Sequence, residues 1–327
     1  MNARSRVRRN LSQTMYSRIQ TLRDKAVGVA LHTFAPGAPV MNEAWTVTPE
    51  ELDDVVIRWP SAYQWPTAGL WVDTILYGLR DRARVEFVPL PQPYRGTVIF
   101  QFVLRSKTHD IAIDYSDYSE VNQESVTRCA LYFKMQYLRE GYGFENVIPG
   151  GYVCDGRKIY LHLSGLRRLR ERGEFDFDVY GRFSTEFAGG TRRRAVELLS
   201  EQKLFRFEGG LKKVKYLEFL KEVARAKVCI DLPGEGDLCF RLINYLAVGA
   251  CIVGPRPRTV LHVPLVDRVH VAYTKDDLSD LLDICRYYVG DDAAREEMCL
   301  NSRRFFDQFL HKDNLTAYYL RSCVDSL

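Results

Sequence analysis

The second half of the chain alternates between short apolar runs and amphipathic segments. From residue 159 onwards the pattern predicts helices and strands in strict alternation up to residue 255. The strand segments read FDVYGRF, FRFEG, VCIDLPG and CIVGP, and the helical segments between them read RRRAVELLSEQ, YLEFLKEVARA and RLINYLAVG. Strands that alternate with helices form parallel βαβ units, so this half predicts a doubly wound sheet that binds ligands at the carboxyl ends of its strands.

The first half is less regular. The β-branched and aromatic residues of VEFVPL, TVIFQFVL and HDIAIDYSDYSE predict strands of a first sheet. Residues 32–69 are rich in Pro, Gly and Trp without a clear period, which predicts irregular structure. The segment ENVIPGGYVCDG predicts the crossing between domains, so the expected organisation is one α/β domain over residues 31–150 and a second over 151–327, which ends in helices.

Residues 1–30 predict a basic amphipathic helix, with apolar positions on one face and arginines largely elsewhere. Such a helix can lie on an anionic membrane surface, here through residues 1–28, or pack its apolar stripe on the protein. The sequence leaves both alternatives open.

Composition narrows the class of protein. A chain of 327 residues is long enough for two domains. Its net charge of +4 is too small to require a nucleic-acid partner, although its basic residues cluster. The clusters are interpreted as solvated helix faces or, alternatively, as contacts to an anionic ligand. They comprise Arg167, Arg168, Arg170, Arg172, Arg192, Arg193, Arg194, Lys212, Lys213 and Lys215.

Cysteine spacing and hydropathy indicate a cytoplasmic protein. The eight cysteines form no CxxC pair, which favours reduced thiols over a metal site. No stretch has the apolar length of a membrane span, and the arginine-rich start lacks a signal-peptide core. Peripheral membrane contact is expected only through the amino-terminal helix.

One segment, VCIDLPGEGDLCFRLINYLAVGACIVGP, combines a strand, a turn, a helix and a second strand. The first strand ends near Asp231, and Gly234 and Gly236 allow the turn to approach a ligand closely. Asp237 is expected to cap the following helix. Glu235, inside the turn, would repel a phosphate.

The helix of this segment carries two candidate ligand contacts. Arg241 falls in its first turns, where free backbone N–H groups and the helix dipole favour an anion. Asn244 follows one turn later on the same face, where it would meet sugar hydroxyls. Because the glycines do not form GxGxxG and no Walker lysine is present, an ordinary βα turn with a surface arginine is the alternative.

From about Phe175 to Leu327 the chain resembles the carboxyl-terminal, donor-binding domain of GT-B glycosyltransferases, most closely the exostosin-like group and the protein O-glucosyltransferase (family 90) type. The matching stretches are RLINYLAVGACIVGP, YLEFLKEVARAKVCIDLPG, DDLSDLLDICRYYVG and FFDQFLHKDNLTAYYL. The resemblance implies two Rossmann-like doubly wound domains that face a cleft, followed by carboxyl-terminal helices. Asn244 departs from the family, where many members carry a glutamate that accepts the ribose hydroxyls.

The same resemblance implies a function. A nucleoside-diphosphate sugar would be the donor substrate, with no further cofactor, and it would bind to the second domain. A glycan, glycolipid or small-molecule acceptor would bind mainly to the first domain. The donor-binding candidates are Arg182, Lys213, Asp231, Gly234, Gly236, Arg241 and Asn244.

The acceptor requires a base, and the first domain offers HDIAIDYSDYSE at a strand end. Asp114 and Asp117 lead as candidates and His109 follows, because a carboxylate or histidine that reaches the cleft can deprotonate a hydroxyl. A helix cap or surface turn is the alternative. Asp176 and Asp178 resemble a metal-binding DxD, but they begin their strand, away from the ligand-binding edge, so we expect a structural role and no metal.

The sequence therefore predicts a metal-independent, two-domain glycosyltransferase. One alternative is a catalytically degenerate GT-B-like protein that binds a nucleotide or a partner, which Asn244 and Glu235 would favour. A nucleic-acid-binding protein is a further alternative, against which the even spread of acidic residues argues.

Overall fold

The computed structural model describes residues 37–154, 158–184 and 186–327. The amino-terminal helix predicted over residues 1–30 lies outside the described residues. Within the described ranges, none of the helices combines the length and apolar character needed to cross a bilayer.

The first domain is built on a six-stranded mixed sheet. Its strands are β1 (Val56–Pro60), β2 (Arg84–Val88), β3 (Thr97–Leu104), β4 (Lys107–Asp114), β5 (Leu131–Lys134) and β7 (Val147–Pro149). They lie in the order β2-β1-β3-β4-β5-β7, and only β3 runs antiparallel to its neighbours. The helices described in this domain are α1 (Pro49–Leu52), α2 (Gly69–Arg80) and α3 (Gln123–Arg128).

The second domain contains a five-stranded parallel sheet. Its strands are β8 (Phe177–Arg182), β9 (Phe207–Gly210), β10 (Ala226–Ile230), β11 (Cys251–Pro255) and β13 (Ala272–Thr274). The order β9-β8-β10-β11-β13 is that of a flavodoxin-like sheet, with its switch point between β8 and β10. The helices are α4 (Ile159–Glu171), α5 (Gly189–Glu201), α6 (Tyr216–Ala224), α7 (Phe240–Val248), α8 (Leu281–Gly290), α9 (Asp292–Phe305) and α10 (Lys312–Ser326).

Among the described residues, the two domains are joined by a pair of short strands, by the chain crossing and by a returning helix. Strands β6 (Tyr137–Leu138) and β12 (Thr259–Val260) pair antiparallel across the boundary. The chain itself crosses after β7, and α10 returns from the second domain to pack on α2. One continuous apolar core therefore runs between the inner faces of the two sheets, and each sheet has a second core on its other face.

The fold class predicted from the sequence is confirmed: two Rossmann-like α/β domains face each other across a cleft and carboxyl-terminal helices follow. The alternation predicted for residues 159–255 matches α4 through β11. The prediction of irregular structure over 32–69 is wrong at β1, where Ile57 and Trp59 are buried in the core and Val56 and Arg58 beside them are partly exposed.

The interpretation of the basic clusters as solvated helix faces is wrong for three arginines. Arg167, Arg170 and Arg192 are buried. Arg167 forms a two-pronged ion pair with Asp307, with N–O distances of 3.0 and 2.7 Å. Arg170 donates to the backbone carbonyls of Val223 and Ala226. The guanidinium groups of Arg167 and Arg170 therefore hold α4 against neighbouring elements and are not solvated.

Candidate functional site

The carboxyl edges of the two sheets face each other and enclose two adjoining cavities. The first, of about 490 Å³, lies at the switch point between β8 and β10. Parallel sheets bind ligands there because the loops after these two strands leave in opposite directions and open a crevice. This first cavity is called the donor-side cavity, and the second the acceptor-side cavity, after the substrates that the sequence predicts for the two domains. The apolar wall of the donor-side cavity is aromatic and consists of Trp71, Tyr152, Phe183, Phe187, Tyr216, Phe219 and Phe240.

Arg192 is a buried cation of the donor-side cavity that forms no direct ion pair with a carboxylate among the described residues. It is 4% exposed and lines the cavity. Its Nε donates to the Pro233 carbonyl at 2.9 Å and its Nη1 donates to the Ser184 carbonyl at 2.7 Å. Burial lowers the pKa of this guanidinium, and the positive charge of Arg241 lowers it further. An anion in the cavity would relieve both costs.

Arg241 is the second residue of α7, in the first turn of the helix as the sequence predicts. It lies beside Arg192. It also lines the cavity, but its Nη1 donates to Asp231 Oδ1 at 3.3 Å and to the Leu232 carbonyl at 3.0 Å. Burial raises the pKa of Asp231 to about 6, while the positive charges of Arg241 and Arg192 oppose that shift. Asp231 therefore pairs directly with Arg241, while its attraction for Arg192 acts beyond ion-pair distance.

Arg182 and Lys213 are the other cationic candidates, and they differ in ion pairing and in exposure to solvent. Arg182 lines the cavity, yet it forms ion pairs with Glu222 at 2.7 Å and with Glu208 at 2.8 Å. The hydrogen bond to Glu222 raises the pKa of Arg182, so the guanidinium stays charged but is compensated. Lys213 is exposed on the cavity rim next to Lys212.

The turn between β10 and α7 forms part of the cavity wall through Gly234 and Gly236. A Cβ atom on Gly236 would lie 2.4 Å from Gln136 Nε2 and 2.7 Å from the Asp117 carbonyl oxygen, so this position requires glycine. Gln136 holds the turn: its Nε2 donates to the Leu238 carbonyl at 2.8 Å and its Oε1 accepts from the Leu238 N–H at 3.1 Å. The first domain thereby fixes the ligand-facing turn of the second.

Two predictions for this segment need correction. Asp237 does not cap α7, which begins after Cys239 without a side-chain cap; its carboxylate accepts from Arg258 instead. Asn244 is fully buried and is not among the residues that line the cavity. Its Oδ1 accepts from the Tyr216 hydroxyl at 2.9 Å, so a ribose in the cavity would meet Tyr216 first.

The second cavity, of about 670 Å³, adjoins the carboxyl edge of the first sheet and is the acceptor-side cavity below. It shares Trp71, Asp117, Phe187 and Glu235 with the donor-side cavity. Burial raises the pKa of the Asp117 carboxyl, the negative charge of Glu235 raises it further, and Lys134 opposes both. A carboxylate with a raised pKa thus stands where the two cavities meet, which suits a general base.

Asp114 and His109, the other candidate bases, occupy different places. Asp114 is buried, and its carboxylate accepts from Tyr132, Lys134 and Ser116 at 2.5, 2.8 and 2.6 Å. It is therefore fully engaged and orders the loop that carries Asp117. His109 pairs with Phe102 near the start of β4, roughly 16 Å along the strand from its carboxyl end. The structure does not bring His109 to the cleft, because His109 is near the amino end of β4 and the carboxyl end of this strand reaches the cleft.

The DFDV carboxylates lie at the amino end of β8, as expected. Asp176 pairs with Arg225 at 2.8 Å and Asp178 pairs with Lys227 at 3.3 Å. Among the described residues, no group of three or more His, Cys, Asp or Glu side chains is arranged to hold a metal ion.

Fold and site together define a two-domain α/β protein with a cleft between facing sheets, cationic and aromatic on one side and acidic on the other. No family model matches the chain. No curated protein matches it either. A glycosyltransferase from Rickettsia africae ESF-5 is a solved structure with 10% identity and a TM-score of 0.42, over 77% of this chain and 73% of that one. A UDP-N-acetylglucosamine 2-epimerase structure from Listeria monocytogenes has 9% identity and a TM-score of 0.35, over 94% and 79%.

Identities and TM-scores this low say nothing about the chemistry of this chain. That chemistry is argued from the residues of the cleft. Arg192 lines the cavity but is not among the donor-binding candidates that the sequence singles out; it falls within a basic cluster interpreted as a solvated face or, alternatively, as a contact to an anionic ligand. A local signal exists, since Gly189 and Gly190 begin the helix that carries Arg192, but the triple arginine Arg192 to Arg194 is typical of a solvated run.

Proposed function

We propose that the protein is a glycosyltransferase that moves a sugar from a nucleoside-diphosphate sugar to an acceptor hydroxyl. The observation that carries the proposal is the buried Arg192, which faces the switch-point cavity and forms no direct ion pair with a carboxylate among the described residues. A diphosphate would supply the missing negative charge, and the aromatic wall suits a nucleobase. The resemblance of the second domain to exostosin-like and family 90 enzymes supports the same proposal from the sequence.

In the proposed reaction Asp117 accepts the proton of the acceptor hydroxyl, whose oxygen attacks the anomeric carbon of the donor sugar. The bond from that carbon to the diphosphate breaks, and the diphosphate leaves with an added negative charge. Arg192, Arg241 and the backbone amides at the start of α7 stabilise this charge, a role that does not require a metal.

Calorimetric titration with nucleoside diphosphates tests the proposal, after a thermal-shift panel has selected the base. Arg192→Ala should weaken diphosphate binding by about 10- to 150-fold, the scale of a charge-assisted hydrogen bond. Arg193→Ala is the matched control, because Arg193 is the exposed neighbour on the same helix. The parent nucleoside should bind to both variants and to the wild type alike, which also shows that each variant is folded.

Two outcomes would contradict the proposal in different ways. If no nucleoside diphosphate binds, the cavity is not a donor site. If diphosphate binds but no sugar is transferred or hydrolysed from any donor, the alternative of a catalytically degenerate nucleotide-binding protein stands.

A further inference from the structure

The acceptor-side cavity is lined by aromatic rings that are unusually open to solvent. Trp65, Tyr118 and Phe187 line it and are 48%, 57% and 43% exposed. Trp71 and Tyr115 complete the aromatic wall. Large exposed rings that converge on one cavity indicate a surface that a ligand covers.

The charged groups of this cavity are predominantly acidic. Asp117, Glu120 and Glu235 line it, and Arg95 is the cation that lines it with them. Arg95 lies over the ring of Trp65, with 5.7 Å between the guanidinium carbon and the ring centroid. Asp114 also contributes to the wall but is neutralised by Lys134. A cavity with this excess of negative charge repels anionic ligands, attracts cationic ones and does not repel neutral ones.

We propose that the acceptor is a carbohydrate that carries no negative charge; this rests on the proposed function and names its acceptor class. Sugar rings present apolar faces that stack on Trp65 and Trp71, and their hydroxyls donate to Glu120 and Glu235, which as carboxylates only accept. The acceptor hydroxyl then meets Asp117 at the junction with the donor-side cavity. A lipid chain in the same cavity would bury these carboxylates without donors, which is costly.

A glycan array tests the inference with the intact protein in the presence of the nucleoside diphosphate that it binds. The array carries neutral, amine-bearing, uronate, sulfated and phosphorylated oligosaccharides. We expect the retained glycans to come from the neutral and amine-bearing groups. Preferential retention of anionic glycans, or retention of none while the nucleoside diphosphate still binds, would overturn the inference and leave the proposed function standing. Loss of diphosphate binding would instead count against the proposed function.

Two variants with matched controls locate the binding. Trp65→Ala should weaken binding of the retained glycan at least tenfold, whereas Phe87→Ala should not, since Phe87 is an equally exposed ring on β2 and does not line the cavity. Glu120→Lys should increase retention of anionic glycans. Glu145→Lys, which makes the same change of net charge at another exposed position, should not. Equal effects within either pair would show that the glycans bind elsewhere.

Discussion

The ionisation of Asp117 is the residue-scale feature on which the proposed chemistry depends. Its pKa is raised by burial and by Glu235, so the base is protonated at a pH where an ordinary aspartate is already charged. Asp117→Asn should lower turnover by about 100-fold or more, the range of a lost general base. Diphosphate affinity should not fall, because removing a carboxylate from the junction of the two cavities takes no favourable charge interaction away from an anion. A variant with normal turnover would place the base elsewhere.

The charge of Glu235 gives a second residue-scale prediction. Removing a like charge favours ionised Asp117, so Glu235→Gln should lower its pKa and shift the acidic limb of kcat/KM to lower pH. Glu186→Gln is the control, since Glu186 is exposed on the donor-side cavity but is not a cause of the Asp117 shift. A pH–rate series on both variants measures it. If the acidic limb of kcat/KM does not move in Glu235→Gln, or moves to higher pH, the ionisation of Asp117 does not control the rate.

At the scale of elements, the strand–turn–helix unit around Gly236 was predictable from local pattern, but its support was not. The two hydrogen bonds that hold this turn, here called the clamp, come from Gln136, which is 102 residues upstream of Leu238. A local sequence pattern cannot predict a contact across that distance. The same reason hid the buried state of Arg192: local pattern gives a basic helix face, whereas the Pro233 and Ser184 carbonyls that hold the guanidinium come from other elements.

The clamp itself can be tested. Gln136→Leu leaves the N–H and the carbonyl of buried Leu238 without partners, at a cost of about 1–3 kcal/mol for each group. The urea midpoint of the variant should fall, and diphosphate binding should weaken because the turn loses its support. Gln64→Leu, at an exposed position of the same domain, is the control. Equal midpoints for the two variants would mean that the turn is held by other contacts.

At the scale of the whole molecule, the second domain was the easier half to predict. Its parallel strands alternate with helices along the chain, and β9 is the one strand of this sheet whose place departs from sequence order, since it lies outside β8. The first sheet inserts one antiparallel strand, β3, and begins with β1 in a segment whose prolines and tryptophans mask its period. The return of α10 to the first domain depends on contacts between residues more than two hundred positions apart, which no local pattern contains.

The packing of α10 on α2 gives a prediction about the stability of the whole molecule. A Cβ atom on Gly78 of α2 would lie 2.1 Å from Thr316 Oγ1 and 2.8 Å from Thr316 Cβ on α10. Overpacking costs about 1–3 kcal/mol, more than the roughly 1 kcal/mol that alanine gains over glycine within a helix, so Gly78→Ala should lower the free energy of unfolding. Gly165→Ala, at an exposed position of α4 with nothing within 4 Å of the added atom, should raise it instead.

A double-mutant cycle separates this clash from a general effect of the substitution. Thr316→Ala removes the oxygen nearest to the new methyl group, and that buried hydroxyl has no hydrogen-bond partner to lose. The double variant Gly78→Ala, Thr316→Ala should therefore recover part of the lost stability, but not all, because the Cβ atom at 2.8 Å remains. Urea unfolding of the four proteins measures the coupling. Additive changes would show that α2 and α10 adjust their separation freely, and that α10 does not fix the position of one domain against the other.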